Sequence, residues 1–420
     1  MARPQDPGAS RWRQWCYAAA AVGIVGLLVA VGLLWERKHV DPSTTGTAET
    51  VELCGYGQIR PVRSIDDYPP EVVKAADRAF SDIGTDLRAR TLPRAQAVGL
   101  YLQMVQDVRE AGKQFERSER TCEDAACVQR QTRAAAQAAA PAAQALARLA
   151  VSAADPTVYA LAIYGCRLNQ DGACAQLSKS HWAQLAPDNA VPWFWLAEEA
   201  RARKDEPAMI SALQRAARAQ TSDYAWGAIL EPAAHPQARA LPPASRVVLL
   251  STLIGVYSAL PPPSYLPVTQ FCASERLADS ARRGLCDDLA SMMTERSASI
   301  LELSLGTGLG ERLGWNAERV QRLGDEREAI YLLSMQGWQP EDTYSCGFVE
   351  FVEARVNDLA TVGDLRAGRQ RIAASGRSAR ELAHEWRELQ QRREAGVKSG
   401  AAVRPEKAAA PAGSAGSGGR

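Results

Sequence analysis

The side chains able to do chemistry in this chain are its 4 histidines, 9 cysteines and 48 carboxylates. His39, His181, His235 and His384 are scattered, and no two share a helical face by their spacing. His384-Glu385 opens the run HEWRE, but Glu388 stands where a zincin helix needs its second histidine, so a two-histidine zinc platform is absent. The carboxylate neighbours Asp66-Asp67, Glu198-Glu199 and Asp287-Asp288 suggest an acid and a base, yet adjacent residues on a helix do not face each other. Gly306-Thr307-Gly308-Leu309-Gly310 is glycine-rich, but a dinucleotide fingerprint requires a preceding strand and a parallel sheet. Here an apolar, helix-like run comes first and ERLGW follows, so the segment reads as a turn between two helices. The chain has no G-x-S-x-G elbow, S-x-x-K pair or G-x-x-x-x-G-K phosphate loop, and no catalytic residue, metal or cofactor is assigned.

The cysteines point to structure. Setting aside Cys16, which lies in an apolar run, eight remain: Cys54, Cys122, Cys127, Cys166, Cys174, Cys272, Cys286 and Cys346. Locality pairs Cys122 with Cys127, Cys166 with Cys174 and Cys272 with Cys286, which leaves Cys54 for Cys346. A metal or redox site is the rival, but no C-x-x-C pair occurs. Structural disulfides imply an oxidising compartment.

That compartment fits the apolar run itself. Trp15 to Trp35 holds no charge over 21 residues, about 31 Å of helix against a hydrocarbon core of ~30 Å. Trp15, Tyr17 and Trp35 lie near its ends, at headgroup level. A cleaved signal peptide would have a shorter apolar run and small residues at a cleavage site, whereas this one ends LLWERKHV. Arg3, Arg11 and Arg13 before it against Arg37 and Lys38 after it favour a cytoplasmic N-terminus, residues 1–14. The expected topology is one span at 15–35 in a bacterial inner membrane, a linker at 36–50, a periplasmic domain at 51–397 and a disordered tail at 398–420.

The domain reads as all-α. Apolar residues repeat at three and four after Pro70, after Pro93 and through the Ala-rich stretch containing Pro141, which should kink or divide its helix. SRVVLLSTLIGVYSAL reads as a buried helix ended by the prolines at 261–263, and further helices are expected at Arg282–Leu305, Ala317–Gln336, Phe348–Ala373 and Ser378–Ala395. Only VELCGYGQIRPV looks extended, and one such segment builds no sheet. With 49 basic residues against 48 acidic ones, the chain has no electrostatic case for nucleic acid.

Placing Thr157–Leu185 above Val191–Ala219 gives a shift of 34 residues that aligns Tyr159 with Trp193, Ala162 with Leu196, Ala175 with Met209 and Trp182 with Ala216. Trp193, Leu196, Ala197 and Ala200 fall on a first helix, Met209, Leu213 and Ala216 on a second, and LAPDN forms the turn between copies. In this period and its small/large alternation, the stretch at about 157–220 resembles the tetratricopeptide family. The resemblance implies antiparallel helix pairs in a solenoid, capped by neighbouring helices, that binds another envelope protein or a peptide. The first residues to look at for binding are then Asn189, Trp195 and Glu199, although tryptophans here pack into a core more readily than they stack on ligands. The competing expectation is an envelope hydrolase acting on cell-wall material through carboxylates that the sequence does not single out. Oligomeric state is left open.

Overall fold

The computed structural model describes residues 50–61, 68–118, 124–336 and 342–399. The expected span 15–35, most of the linker and the tail beyond 399 lie outside them. Among the described residues, no helix is long and apolar enough to cross a membrane.

Among the described residues the domain is all-α apart from one hairpin. In chain order come β1 (Val51–Leu53), β2 (Gly57–Ile59), α1 (Pro70–Ala89), α2 (Pro93–Ser118), α3 (Ala125–Ala153), α4 (Pro156–Gly165), α5 (Lys179–Leu185), α6 (Ala190–Ala202) and α7 (Glu206–Arg218). A long 3-10 segment, Trp226–Ala234, precedes α8 (Pro236–Arg239) and α9 (Pro243–Ser258). Then follow α10 (Leu266–Phe271), α11 (Ser280–Glu295), α12 (Ile300–Leu313), α13 (Ala317–Met335), α14 (Cys346–Ala374) and α15 (Ala379–Ser399).

Local chemistry explains most of these starts. Asp155 accepts from the Thr157 and Val158 N–H groups with Pro156 at the first helical position, and Asp205, Asp279 and Asn316 cap α7, α11 and α13 in the same way. Ser378 and Glu381 form a reciprocal capping box at α15. That helix runs to Ser399, past the expected domain end at 397.

Three expectations give way to tertiary structure. The extended segment near residue 51 folds back on itself, so β1 and β2 pair antiparallel with Leu53 opposite Gly57. The helix expected at Arg282–Leu305 is two, α11 and α12, broken where the chain around Ser222 crosses at Ser297. The glycines expected in a turn lie instead inside α12. A Cβ on Gly306 would come within 2.8 Å of the Met293 Cβ, and one on Gly310 would strike the Trp315 ring, so these glycines admit close packing of α12 on its neighbours. Pro141 lies within α3 without ending it.

The helices pack in pairs. α1, α2, α3 and α4 share one core with α9, the 3-10 segment and the start of α14, around Phe80, Leu102, Leu146, Tyr159 and Trp182. A second core joins α6, α7, α10, α11 and α12 through Phe194, Leu213, Phe271, Leu289 and Met293. α13 pairs with α15 beyond it. This succession of packed pairs is compatible with a helical repeat. The stretch 157–220 forms two consecutive pairs, α4 with α5 and α6 with α7. Of the aligned positions Trp182 and Ala216 are both buried, whereas Trp193 and Leu196 are half-buried opposite buried Tyr159 and Ala162, and Ala175 is exposed opposite buried Met209.

Three disulfides match the expected pairing: Cys166–Cys174 and Cys272–Cys286 by locality and Cys54–Cys346 by elimination, with Cα separations of 5.5, 5.8 and 5.0 Å. Cys127 is also disulfide-bonded, and its expected partner, Cys122, lies outside the described residues. The Cys54–Cys346 bridge, reinforced by a hydrogen bond from the Cys54 N–H to the Tyr344 carbonyl, fastens the hairpin to the N-terminus of α14.

Candidate functional site

The expected binding residues divide. Asn189 caps α6 through the Val191 N–H and clasps Asp223, accepting from its N–H at 3.0 Å and donating to its carbonyl at 2.7 Å. Its polar atoms are thus engaged in fixing the loop after α7. Trp195 and Glu199, one turn apart on α6, meet at Lys179, whose Nζ lies 2.5 Å from the Glu199 carboxylate and 5.7 Å from the Trp195 ring centre. Trp195 is half-buried against the first core, and its indole N–H has no hydrogen-bond partner among the described residues. The isolated histidines are structural: His235 bonds to Asp86 at 2.9 Å and starts α8, while His181 packs edge-on against Tyr159. Among the described residues no group of three potential ligands can hold a metal ion.

A more promising place lies just beyond Asn189, where loops from distant parts of the chain form a ladder. The Ala190 N–H donates to the Thr221 carbonyl, Ser222 N–H to Arg296, Ala298 N–H to Ser222, and Leu365 N–H to Ala298. Arg296 also reaches back to the Ala217 and Ala219 carbonyls, at 3.0 and 2.6 Å, and closes the C-terminus of α7. The ladder ends at a break inside α14, where Gly363 has φ 77° and ψ 170°. A Cβ at that position would lie 3.0 Å from the Ala298 carbonyl oxygen, so both backbone sign and space call for glycine.

Between the ladder, the 3-10 segment, Tyr257 of α9 and the α14 break is a cavity of about 270 Å³. Trp226 and Tyr257 give it an aromatic surface, their ring centres 5.7 Å apart. Charge enters in equal numbers from Arg94, Arg296 and Arg366 and from Asp223, Glu231 and Asp364. Asp364 accepts from the Ile300 and Leu365 N–H groups, at 3.2 and 2.8 Å, and so caps both α12 and the second half of α14. Burial nevertheless pushes its carboxyl up to about 6, with those N–H groups and Arg355 opposing the shift. Burial also raises Glu231, which Arg94 opposes.

Behind the cavity wall sits a fully buried carboxyl. Glu302 Oε1 lies 2.8 Å from the Ser222 hydroxyl, 2.9 Å from that of Tyr224 and 2.5 Å from that of Tyr265, and the two tyrosine hydroxyls touch each other. Burial raises the Glu302 pKa above the ordinary carboxylate value, opposed first by the Ser297 hydroxyl and then by those of Tyr265, Ser222 and Tyr224. Desolvation likewise holds Tyr224 and Tyr265 well above their ordinary value.

None of these pocket residues was legible as a site. They come from six chain segments, and the local hints are two glycines with structural duties, Gly227 against the Ala360 carbonyl and Gly363. No known protein family, curated protein or solved structure matches the chain.

Proposed function

We propose that this chain is a membrane-anchored binding module of the cell envelope, held in the bacterial inner membrane by Trp15–Trp35, whose periplasmic tetratricopeptide-like helical domain recognises another protein or a peptide at the cavity beside Asn189. The disulfide-bonded cysteines and the succession of packed helix pairs support the compartment and the architecture. One observation carries the binding role: the cavity's polar groups divide into two sets. Arg296, Asp364 and one oxygen of Asp223 are engaged in holding backbone, whereas Arg366 and Glu231 are exposed and have no ion pair or hydrogen bond among the described residues. A rigid frame with open charges at its mouth suits recognition.

The hydrolase reading draws on a single feature, the raised carboxyl of Asp364 in the same cavity as Asp223. Since Asp364 serves two helix N-termini, the binding reading accounts for more of its geometry.

A photoreactive residue placed at exposed Thr361, on the cavity rim, tests the proposal in intact cells carrying the full chain. A defined crosslinked product is expected there, and none from the same residue at Lys113, near the other end of α2 from Arg94. Adding Arg366→Glu should remove the product. Equal labelling at both positions, or none at either, would sink the binding role.

A further inference from the structure

Glu302 lies at the joint between the two cores. Its Oε1 is shared by the Tyr224 hydroxyl from the first core, the Tyr265 hydroxyl from the second and the Ser222 hydroxyl. Its Oε2 is buried and has no hydrogen-bond partner among the described residues, the Ser297 hydroxyl donating instead to the Ser299 carbonyl at 3.3 Å. Among the described residues no cation pairs with it, because the charged groups on the elements around it are engaged elsewhere. Arg296 holds the Ala217 and Ala219 carbonyls, Arg369 holds Glu326 and the Thr294 carbonyl, Asp364 accepts from the Ile300 and Leu365 N–H groups, and Asp223 accepts from the Ala225 N–H. Tyr224 and Tyr265, the titratable groups in contact with it, are held well above their ordinary value by desolvation and keep their protons.

An ionised carboxylate in that place is a desolvated charge with one oxygen unanswered, which is costly unless water reaches it. Residues 221–225 separate it from the cavity. Exposure alternates along them, with Thr221 and Asp223 outward and Ser222 and Tyr224 inward onto Glu302. On the opposite side Tyr265 packs on Phe194 inside the second core, their ring centres 5.3 Å apart, so water reaches Glu302 more readily from the cavity. The strip ends at Ala225, whose φ of 60° is a left-handed conformation that a non-glycine residue adopts at a cost, and lifting the strip relieves it. We propose that Glu302 is a proton-operated latch on the cavity wall: protonated, it holds Ser222 and Tyr224 shut against α12, and ionised, it draws in water and frees residues 221–225. Burial sets the sign, since it raises the folded value above the unfolded one: the shut state is complete below the ordinary carboxylate value and is lost as pH rises through the folded value. The latch operates whether or not the cavity takes a partner.

Hydrogen exchange of the full chain in detergent micelles, read by mass spectrometry from about pH 5 to about pH 8 and corrected for intrinsic rates, tests this. Both chains compared carry Asp364→Asn, so that the Asp364 proton is not what is read. With Glu302 in place, exchange of residues 221–226 should rise at least about tenfold across that range, while residues 97–104 of α2 change by less than about twofold. Adding Glu302→Gln should abolish the rise and leave 221–226 as protected at the upper pH as at the lower. A rise that survives the substitution, no rise in either chain, or an equal rise in both segments would overturn the latch. So would a Glu302→Gln chain that does not fold, checked by its melting curve, because an uncharged side chain is what the shut state holds.

Discussion

Glu302 shows how a single buried side chain can govern a site wall without touching the cavity. Ser222 and Tyr224, which line the cavity, are held from behind by its Oε1. Glu302→Gln keeps an acceptor oxygen for Ser222, Tyr224 and Tyr265 and removes the charge that burial disfavours, so it is expected to stay within about 1 kcal/mol of the parent at pH 7. Glu302→Ala strands three hydroxyls and is expected to lose about 3 kcal/mol or more in urea denaturation. Asp364 yields a pH signature. Its folded carboxyl, at about 6, lies above the unfolded value, so its contribution to stability is complete below about pH 4 and disappears as pH rises through about 6. Asp364→Asn retains the acceptor oxygen for Ile300 and Leu365. It should therefore match the parent near pH 4 and exceed it near pH 8 by on the order of 2 kcal/mol, measured as melting curves across that range. A variant equally shifted at both pH values would show that the proton on Asp364 is not what matters.

At the scale of elements, the glycines of α12 separate two kinds of duty. Gly306 faces Met293 and the Ala290 carbonyl at under 3 Å from any added Cβ, so Gly306→Val should cost about 2–3 kcal/mol by forcing α11 and α12 apart. Gly308, two positions on, has nothing within 4 Å of such a Cβ. Gly308→Ala should instead stabilise by about 0.5–1 kcal/mol, since alanine restricts the unfolded chain and favours helix. Thermal denaturation of the pair tests the assignment, and a loss of stability in both would mean α12 is not helical through this stretch. The sequence shows three glycines in five residues and nothing of this difference. Helix periodicity was readable for α1, α2 and α3, where apolar residues recur at three and four, whereas α9 was readable from its continuous apolar run, which is buried at Val247, Val248, Leu249 and Leu250 in succession. The break between α11 and α12 was not, because it is imposed by a loop from residue 222.

For the whole molecule, the Cys54–Cys346 bridge spans 292 residues and closes the domain, whereas Cys166–Cys174 spans 8. In the chain-entropy model the first is worth about 5–6 kcal/mol and the second about 2–3 kcal/mol. Paired Cys→Ala variants should therefore fall in stability in that order, and the reverse order would place most of the effect in native-state strain. Intact mass after alkylation without reductant should show at most one free thiol, which belongs to Cys16, and several alkylated cysteines would undo the periplasmic assignment. The sequence by itself determined the features that depend on near neighbours: the apolar run Trp15–Trp35, the helical class, and the short-range pairs Cys166–Cys174 and Cys272–Cys286. Even Cys54–Cys346, a long-range bond, was legible, because locality removed every other choice. The cavity was decided by tertiary structure alone. Its residues are ordinary until the ladder through Thr221, Ser222, Ala298 and Leu365 brings the turn after α7, the 3-10 segment and the α14 break together. Glu302 became a buried acid only when two tyrosines and a serine from elsewhere closed over it. Burial and charge pairing are properties of the folded neighbourhood, and no spacing along the chain encodes them.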